Sequence, residues 1–516
     1  MKILLISPRF PVTYWGMQHA LSIVGKRATI PPLGLLTVAA LLPRQWALRL
    51  VDLNVQPLTE ETLAWADAVL LGGMRIQAPS MHEVIARARA LGRRTVVGGP
   101  GPTTAPEEFS DADVVVRGEV ERIVEAVVAA IEDRRAGLVL EAPPERPALA
   151  EVPVPRFELL DRSAYTTMSL QTSRGCPFQC EFCDIIEIFG RRPRVKTDEQ
   201  VLAELAALYA LDHRGSVFLV DDNFIGNKPA VKGLLPKIAR WQKERGYPFE
   251  LYTEASLNLA DDEPLMRAMV EAGFSSVFVG LESPSSESLA GAGKQQNLRR
   301  DLGDAVAAIT RSGLEVMGGF IVGFDQDDRE IFEAQRRFIQ ASPVVLAMVG
   351  LLTALPGTAL TRRLSREGRL RERATGDQFA RPNFDPAMDE ATLLRGYADL
   401  MRALYHPDAY YDRCERLLEQ APAPVTRRKV TGRELRVLAR ALFFLGVRSP
   451  RRQRYWRLMA RALRRAPGRL ARAVAHAVQG EHMIRYTNEV LLPRLEAAIA
   501  EVTRDRARVG AQGAGA

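Results

Sequence analysis

The stretch Ser173-Arg-Gly-Cys176-Pro-Phe-Gln-Cys180-Glu-Phe-Cys183 holds three of the four cysteines of this 516-residue chain. Its Cys-x-x-x-Cys-x-x-Cys spacing places three thiolates on one short loop, where they can bind one metal centre. Thiolates select iron–sulfur clusters, zinc or copper(I), and cubane clusters ordinarily use four cysteines. Because Cys414 is distant, the spacing favours a four-iron four-sulfur cluster with one open iron, as catalytic metals have. A zinc site or a chance grouping is the alternative, but no His lies between Cys183 and His213 as a fourth ligand.

With Phe182 just before its third cysteine, the motif resembles the signature of the radical S-adenosylmethionine enzymes. The resemblance implies that Cys176, Cys180 and Cys183 are the catalytic metal ligands. It also implies that the open iron binds the amino and carboxylate groups of S-adenosylmethionine, whose reductive cleavage gives a 5′-deoxyadenosyl radical. An electron donor of the flavodoxin or ferredoxin type is the implied protein partner.

Length and composition indicate a globular protein of two to four domains. Four cysteines in this spacing do not predict a disulfide framework. A cluster needs a reducing interior, so we expect a cytoplasmic protein. The apolar run at residues 2–7 is too short for a signal peptide and predicts a β-strand. No run of 18 or more apolar residues occurs, so we expect no membrane span.

Residues 1–140 alternate apolar runs with helical patterns, which predicts a parallel, doubly wound sheet. Ligands of such sheets bind beyond the carboxyl ends of the strands, and glycines there let a large ligand approach the backbone. The predicted strands are 2–7, 48–52, 68–72, 95–98 and 114–117, and the predicted helices are 32–42, 60–65, 81–91 and 120–132.

Placed directly before the cysteine motif, this domain resembles the cobalamin-binding domain of cobalamin-dependent radical enzymes. Where such domains supply a cobalt-binding histidine in an Asp-x-His-x-x-Gly motif, this chain has Asp52-Leu-Asn54. Amide is a poor cobalt ligand, so we expect cobalamin to bind without a protein histidine. An ordinary Rossmann-like domain is the alternative. The resemblance implies cobalamin-binding residues at the strand ends, namely Pro8, Arg9, Asn54, Met74, Arg75, Gln77, Gly98, Gly99, Pro100, Thr103, Gly118 and Glu119.

Residues 141–165 are proline-rich and predict an extended linker. Residues 166–370 again alternate strands and helices, with strands expected at 168–172, 216–220, 249–253, 276–280, 315–322 and 345–352. Six such units match the partial barrel of the radical superfamily, whose active sites lie at the carboxyl ends of the strands. The resemblance implies that S-adenosylmethionine is bound there by Phe182, Asp222, Asn223, Glu254, Glu282, Ser283 and Gly318. The alternative for each polar residue, and for Asp221 above all, is a helix cap or a loop hydrogen bond.

Residues 371–502 lose the strand pattern and predict a basic helical domain, with a kink or break at Pro467. Residues 503–516 predict a disordered tail, and Cys414 a buried helix cysteine. Residues 421–479 hold 16 Arg or Lys against one acid, a net charge of +15, which leaves −7 for the remainder. A basic amphipathic helix suits an anionic membrane surface. A helical cap with solvated or paired arginines is the alternative, and nucleic acid is the weakest reading because no RNA or DNA module precedes the segment.

The predicted fold class is α/β, with a Rossmann-like cobalamin-binding domain, a partial (β/α)6 TIM-type radical barrel and a C-terminal helical domain. This order resembles the cobalamin-dependent radical methyltransferases, in the group that contains the hopanoid methylases. It implies C-methylation of an unactivated carbon in a lipid-like or polycyclic substrate, with methyl delivered from methylcobalamin. A non-methylating cyclase or rearrangement enzyme of the same superfamily is one alternative. A non-catalytic corrinoid or redox sensor is the other.

Overall fold

The computed structural model describes residues 1–422, 432–465 and 467–513. Its strands are β1 (Lys2–Ser7), β2 (Ala47–Asp52), β3 (Ala68–Gly72), β4 (Arg94–Gly98), β5 (Val114–Arg117), β6 (Leu138–Glu141), β7 (Thr167–Leu170), β8 (Ser173–Arg174), β9 (Arg194–Val195), β10 (Gly215–Leu219), β11 (Phe249–Glu254), β12 (Phe274–Glu282), β13 (Glu315–Val322) and β14 (Ala347–Leu351). Its α-helices are α1 (Gln18–Val24), α2 (Leu33–Leu41), α3 (Glu60–Trp65), α4 (Ala78–Ala90), α5 (Pro100–Thr104), α6 (Val124–Glu132), α7 (Ile185–Ile188), α8 (Asp198–Ala210), α9 (Lys228–Glu244), α10 (Glu263–Glu271), α11 (Ser286–Gly291), α12 (Leu302–Ser312), α13 (Ile331–Ala341), α14 (Ala359–Arg366), α15 (Glu390–Leu404), α16 (Pro407–Gln420), α17 (Gly432–Ala441), α18 (Arg452–Arg465), α19 (Leu470–Tyr486) and α20 (Leu492–Gly513).

The chain divides into two compact units. The first unit comprises Met1–Gly16, Lys26–Pro177 and Asp184–Glu250. The second unit comprises Met17–Gly25, Phe178–Cys183 and the described residues from Leu251 onward. Cys176 therefore belongs to the first unit, and Cys180 and Cys183 belong to the second.

The first unit opens with a parallel six-stranded sheet in the order β2-β1-β3-β4-β5-β6. All four residues of Ile3–Ile6 in β1 are fully buried, as expected for a strand covered by helices on both faces. The strand order reverses between β1 and β3, and open α/β sheets bind ligands at such a reversal. The loops that follow β1 and β3 are therefore the place to look for a ligand of this sheet.

The strands predicted at 2–7, 68–72 and 114–117 and the helix predicted at 60–65 are confirmed residue by residue. The sheet has one strand more than predicted, β6, at the boundary that the sequence suggested for the linker. The proline-rich segment that follows makes three short 3-10 turns and buries several apolar side chains, among them Leu149, Val152, Phe157 and Leu160. It is a packed connection and not the extended spacer that its prolines predicted.

The cysteine motif follows a short strand pair that the sequence did not predict. In the first unit β7 pairs with β10 in parallel, and β8 pairs with β9 in antiparallel register, with Ser173 opposite Val195 and Arg174 opposite Arg194. Both strands have only two residues, so periodicity could not reveal them. The pair closes the base of residues 175–193, in which the cysteines lie.

In the second unit, the strands β11, β12, β13 and β14 are parallel neighbours in chain order. The complete sheet has the order β14-β13-β12-β11-β10-β7. Six parallel strands with intervening helices confirm the predicted (β/α)6 order of a partial barrel. The predicted strand 315–322 coincides with β13, and the other five differ from the observed strands by at most two residues at either end.

The C-terminal helices of the second unit cover the last strand of this sheet. The hydroxyls of Tyr397 in α15 and of Tyr405, which directly follows α15, donate hydrogen bonds to the carbonyl oxygens of Val349 (2.7 Å) and Ala347 (2.5 Å). Cys414 is fully buried in α16, as predicted. The helices α18 and α19 are separated at Pro467, also as predicted.

The end of the chain differs from prediction. The helix α20 extends through Gly513 and so includes most of the tail predicted to be disordered from residue 503. This segment is rich in Ala and Arg, which are strong helix formers. Residues 514–516 of the tail, and residues 423–431 and 466 of the basic segment, lie outside the described residues. In the described part of the chain, no helix is long and apolar enough to cross a membrane.

Candidate active site

Cys176 lies in a backbone turn that only glycine permits. Gly175 has φ +98°, and a Cβ on it would lie 2.8 Å from the Gly190 carbonyl oxygen. The Cys176 N–H donates to the same oxygen at 3.2 Å. The Asn223 side-chain amide lies 3.9 Å from Cys176 Sγ, within the range of a weak hydrogen bond to sulfur. Asn223, predicted to bind S-adenosylmethionine, is thus beside the first thiol.

The two aspartates after β10 have different environments. Asp221 is buried and accepts hydrogen bonds from the Thr172 N–H (2.7 Å), the Ser173 hydroxyl (2.8 Å) and the Thr172 hydroxyl. It holds the cysteine loop to the strand, which is the structural role that was its alternative. Asp222 accepts one bond, from the Gly175 N–H at 2.7 Å. Burial raises the pKa of Asp222 to about 7, against the opposing effect of that bond. A perturbed carboxyl with one partner suits a cationic ligand.

Glu119 joins the base of the cysteine loop to the first sheet of the same unit. Its buried carboxylate accepts bonds from Arg174 Nη1 at 2.7 Å and from Arg194 Nη2 at 2.8 Å. Arg174 also pairs with Glu121 at 2.8 Å. Glu119 was predicted to contact cobalamin, but its carboxylate is occupied by these ion pairs. Any contact that it makes with a ligand of the sheet has to come from its backbone or that of Gly118.

In the second unit, Cys180 is buried and Cys183 is half-buried. The Cys183 N–H donates to the Cys180 carbonyl oxygen at 3.2 Å, which fixes the turn between them. The Gln296 side-chain amide lies 3.7 Å from Cys180 Sγ. Gly293 packs against this turn, since a Cβ on it would lie 2.9 Å from the Gln179 carbonyl oxygen. The segment 293–296 therefore supports the second and third cysteines.

Lys294 is a buried cation that interacts electrostatically with Cys180 and Cys183. Its ammonium bonds to Glu282 at 2.6 Å, with both side chains largely buried, and lies 5.9 Å from the centre of the Phe182 ring. Burial alone would lower the pKa of Lys294, but Glu282 and the negative charges of Cys180 and Cys183 outweigh burial, so the pKa lies above its usual value. Glu282 itself has φ +63°, an uncommon backbone for a non-glycine residue and a mark of functional sites.

The other residues predicted to bind S-adenosylmethionine have mixed environments. Glu254 ends β11 and is half-buried. The fully buried Ser283 hydroxyl accepts a bond from the Ser285 N–H at 3.1 Å. A Cβ on Gly318 would lie 2.8 Å from the Phe320 ring and 3.1 Å from Val344. Core side chains therefore fill the space beside Gly318, and its predicted contact with S-adenosylmethionine is through main-chain atoms.

The donor set fits a thiolate-bound cluster. An amide lies beside Cys176, an amide beside Cys180, and an ammonium feels the charges of Cys180 and Cys183. Such donors stabilise anionic sulfur and tune cluster potentials. Among the described residues, no three His, Cys, Asp or Glu side chains converge as the ligands of a single metal ion would. The ligands of a four-iron cluster each bind a different iron, so they need not meet at one point.

In the first sheet, Asn54 and Gln77 hold the loop that follows β1. Asn54 Nδ2 and Gln77 Nε2 both donate to the Pro8 carbonyl oxygen, at 3.1 and 2.6 Å. Asn54 Oδ1 accepts from the Phe10 N–H at 2.8 Å, and Asn54 Nδ2 also bonds to Asp52. Both amides were predicted to bind cobalamin, but the structure engages them in clamping this loop.

The glycines of this edge serve packing of the chain on itself. Gly99 has φ +95°, and a Cβ there would lie 3.0 Å from the Gly73 carbonyl oxygen. A Cβ on Gly101 would lie 3.1 Å from the Arg75 backbone nitrogen. The sequence predicts that glycines at this edge admit a ligand, but at Gly99 and Gly101 the missing side chains make room for the neighbouring loop. Thr103 adds to the same packing, because its hydroxyl accepts from the Gly118 N–H at 3.1 Å.

Apolar side chains remain exposed at the strand reversal. Met74, after β3, is 51% exposed, and Phe10, after β1, is 36% exposed. Arg9 is exposed beside them, while Arg75 is paired with Glu108 at 2.8 Å. Gly98 and Pro100 are half-buried. Exposed apolar groups on two rigid loops at a strand reversal fit a large, flat macrocycle.

Sequence reasoning missed Lys294, Gln296, Arg174 and Arg194. The first two follow glycines in a polar segment, Gly291-Ala-Gly-Lys294-Gln-Gln296, which offers a weak local signal. The two arginines act through Glu119, which is 55 and 75 residues away, and no local pattern carries such a pairing.

Comparison with known proteins identifies three domain families in the chain. Residues 170–338 match the radical SAM superfamily, residues 26–128 the B12 binding domain and residues 358–493 a domain of unknown function, DUF4070. A radical SAM domain carries a four-iron four-sulfur cluster and uses S-adenosylmethionine, and a B12 binding domain takes cobalamin. These are the cofactors of the chain.

The chain is 41% identical over 493 residues to a protein described as an uncharacterized methyltransferase from Synechocystis sp., covering 94% of this chain and 92% of that protein. The radical S-adenosylmethionine methyltransferase TsrM from Kitasatospora setae, solved with cobalamin and a [4Fe-4S] cluster bound, has a TM-score of 0.60 at 15% identity, covering 95% of this chain and 99% of that one. The second likeness shows the fold alone. The chain is also 34% identical over 500 residues to the hopanoid C-2 methylase of Rhodopseudomonas palustris, covering 95% and 94% of the two proteins. That relationship, over nearly the whole of both chains, makes this protein a member of the cobalamin-dependent radical S-adenosylmethionine methyltransferases, in the group that contains the hopanoid methylases.

Proposed function

We propose that the enzyme methylates an unactivated carbon of a lipid-like, polycyclic substrate. The observation that carries the proposal is the alignment with a hopanoid C-2 methylase over 95% of this chain. Radical chemistry suits such a substrate, because a saturated ring carbon offers neither an acidic proton nor a nucleophilic electron pair.

When bound, the cluster with S-adenosylmethionine supplies the 5′-deoxyadenosyl radical, and cobalamin supplies the methyl group. The protein's part is to bind and orient these groups and to exclude water. From the first unit we assign Cys176 to the cluster and Asp222 and Asn223 to the ammonium group of S-adenosylmethionine. Asp222 has one hydrogen bond and a raised pKa, so a cation there would stabilise its charged form.

From the second unit we assign Cys180 and Cys183 to the cluster, with Phe182 packed beside them. Glu282, Ser283, Glu254 and the Gly318 backbone are proposed to bind the rest of S-adenosylmethionine. The Glu282 carboxylate is already oriented by Lys294 at 2.6 Å, which holds it in one position for a ribose hydroxyl.

For cobalamin we assign the loops at the strand reversal. The Met74 side chain and the exposed Arg9 are proposed to contact the macrocycle directly. Backbone groups of Arg75, Gly98, Gly99, Pro100 and Gly118 are proposed to complete the site. Asn54, Gln77, Thr103 and Glu119 hold these loops through the hydrogen bonds and ion pairs described above.

A flavodoxin- or ferredoxin-type protein is proposed as the reductant, because cleavage of S-adenosylmethionine consumes one electron. The reducing environment that free thiols and a cluster need is our reason for proposing a cytoplasmic location. We also propose that the enzyme meets its substrate at a membrane surface.

The test combines a lipid comparison with a reaction. Lipid extracts of a deletion strain and its parent are compared for a species lighter by one methyl group. The accumulated lipid is then incubated anaerobically with reconstituted enzyme, a reductant and methyl-labelled S-adenosylmethionine. Label in the lipid product is the expected result. 5′-Deoxyadenosine without label in any product would favour the cyclase or rearrangement alternative. No 5′-deoxyadenosine from fully loaded enzyme would favour the sensor.

A further inference from the structure

The arginines of the basic C-terminal segment fall into two sets with different surroundings. On α18, one set faces the acidic side of α16. Arg454 bonds to Asp408 at 2.6 Å and Arg465 to Glu419 at 2.8 Å. Between them, Arg457 and Arg461 pair with Glu415, and Arg461 also reaches Glu419. Each arginine of this set is paired with a carboxylate of α16, which is the pairing that the helical-cap alternative describes.

The other face of α18 carries apolar side chains that the fold leaves exposed. Trp456 is 48% exposed and Leu463 is 55% exposed. They are seven residues apart, so they share one side of the helix. Leu435 (56%), Phe443 (50%) and Val447 (59%) in the preceding α17 and its π-helical extension Leu442–Arg448 are exposed as well. We call Phe443, Val447, Trp456 and Leu463, which lie on α18 and on the π-helical segment that packs against it, the apolar face.

The apolar face is held rigidly. The Trp456 indole N–H donates to the Gly446 carbonyl oxygen at 2.9 Å, which locks α18 to the π-helical segment. A Cβ on Gly446 would lie 3.0 Å from the Trp456 ring. A side chain at position 446 would crowd the ring, whose outer edge remains in solvent. Exposed aromatic and aliphatic groups on a fixed scaffold indicate a binding surface and not a fraying end.

The second set of arginines borders the apolar face. Arg448, Arg452 and Arg464 are exposed and have no carboxylate partner among the described residues. Arg452 is one turn before Trp456, and Arg464 is next to Leu463. The Arg448 guanidinium lies 5.9 Å from the centre of the Phe443 ring. Unpaired cations around exposed Trp, Phe, Leu and Val are the composition of an interfacial amphipathic helix.

We infer that the apolar face, with Arg448, Arg452 and Arg464 at its border, is a docking surface for an anionic membrane. The apolar groups enter the headgroup boundary, where tryptophan is favoured, and the three cations contact lipid phosphates. The inference rests on the proposed lipid-like substrate. It narrows the membrane-binding region from the whole +15 segment to the apolar face and the three arginines at its border.

The experiment uses the full-length reconstituted enzyme and co-sedimentation with vesicles of phosphatidylcholine, with and without phosphatidylglycerol. Binding to the anionic vesicles is expected, and it should weaken steeply with salt because exposed charges are screened. The variants R452Q/R464Q and W456S/L463S are each expected to lower this binding at least about tenfold. The matched control is R457Q/R465Q, which removes the same charge from the α16 side of the same helix and is expected to change binding less than about twofold.

Equal losses in the control and test variants would overturn the assignment of the face, and equal binding to both kinds of vesicle would overturn its anionic preference. No vesicle binding, with a dimer in solution that W456S/L463S abolishes, would assign the face to a second copy of the chain. Circular dichroism and iron content verify that each variant is folded. The vesicle experiment measures binding and not turnover, so its result is independent of the methyl-transfer test described above. Vesicle binding without methyl transfer would reject the proposed function and keep the docking surface. Methyl transfer without vesicle binding would do the reverse.

Discussion

The Glu119 carboxylate accepts a 2.7 Å hydrogen bond from Arg174, across 55 residues of sequence. Arg194, the strand partner of Arg174, bonds to the same carboxylate at 2.8 Å. One buried acid thus holds both sides of the base of the cysteine loop. It sits next to Gly118, at the carboxyl end of a strand in the sheet proposed to bind cobalamin.

We expect Glu119→Gln to destabilise the protein by about 2–4 kcal/mol, because it removes the buried charge shared by two guanidinium groups. The loop base should loosen, and iron retention after reconstitution should fall with it. Thermal unfolding and iron content measure the two effects. The control is Glu141→Gln, whose ion pair with Arg117 is exposed and should contribute less than about 1 kcal/mol. Wild-type stability and iron content in Glu119→Gln would show that the ion pairs do not hold the loop.

Replacing any one of Cys176, Cys180 and Cys183 with Ala should abolish 5′-deoxyadenosine formation. Three thiolates hold three of the four irons and leave the fourth open, and the loss of one thiolate removes an attachment of the cluster to the protein. Iron should fall from about four per chain, with loss of the cluster's visible absorption. Cys414→Ala is the matched control, since that thiol is buried in α16 and burial raises its pKa. Cleavage of S-adenosylmethionine at the wild-type rate by Cys180→Ala would reject the cluster assignment.

Lys294→Met should lower the reduction potential of the cluster. The ammonium is near enough to Cys180 and Cys183 to feel their charge, so it favours the more negative, reduced state. Its loss is expected to shift the potential by on the order of 50 mV or more. Potentiometric titration followed by electron paramagnetic resonance measures this directly. Lys294→Arg should restore most of the shift, and Lys243→Met on the exposed surface should leave it unchanged. An unaltered potential in Lys294→Met would show that Lys294 does not tune the cluster and only orients Glu282.

Asp222→Asn should stabilise the cluster-free protein at high pH. Burial raises the pKa of Asp222 to about 7, so the folded state binds a proton more tightly than the unfolded state. Stability therefore falls as pH rises from about 4 to 7, and it stays low above pH 7. The substitution removes this penalty, on the order of 1–3 kcal/mol at pH 8, with little gain at pH 4.

Denaturant unfolding at the two pH values measures the difference for Asp222→Asn. The control Asp212→Asn changes a side chain that is 94% exposed and should stay within about 0.5 kcal/mol at either pH. An equal effect of Asp222→Asn at pH 4 and pH 8 would show that the Asp222 carboxyl does not titrate as its burial predicts.

Cobalamin should bind with no protein imidazole on cobalt. Asn54 stands where a histidine ligand would be, and its amide is engaged by Pro8, Phe10 and Asp52. Electron paramagnetic resonance of the cob(II)alamin form should show no nitrogen hyperfine coupling from a protein imidazole. A clear imidazole signal would refute this, and His19 would be the first residue to replace. In the structure the His19 ring lies against that of His482, with 5.4 Å between ring centres.

Most of the long strands were predictable because they are buried apolar runs closed by a polar or glycine residue. The run Ile3–Ile6, for example, is buried on both faces. The exceptions are β6, which alternates half-buried and exposed residues, and β8 and β9, which have two residues each. The helix α1 was not predictable, because it has seven residues, a left-handed N-cap at Met17 and no capping side chain. Its stability comes from partners far along the chain, such as Arg440, which bonds to the Ser22 and Ile23 carbonyl oxygens. Short helices depend on such packing.

The candidate site divides in the same way. The roles of the cysteines and of Asp222 were predicted from local motifs, and they stay predictions. The hydrogen bonds that occupy Asn54, Gln77 and Glu119 could not be predicted, because each joins residues from different loops. Sequence position identified these three as site residues, and only the structure shows that they brace the loops. The total charge of the basic segment could likewise be counted from the sequence. Its division into paired and unpaired arginines could not, because it depends on which side of α18 packs against α16.

The two tyrosine hydroxyls on β14 have a consequence for how the enzyme can be divided. β14 is the outermost strand of an open sheet, and such an edge is a template for strand addition by another chain. Tyr397 and Tyr405 occupy its acceptors at alternate residues, Val349 and Ala347. A fragment that stopped before α15 would uncover those carbonyls along with the apolar surface beneath the helix, and we expect it to self-associate. We therefore expect that the radical barrel cannot be expressed alone as a stable domain, because the helices that follow it cover its edge strand.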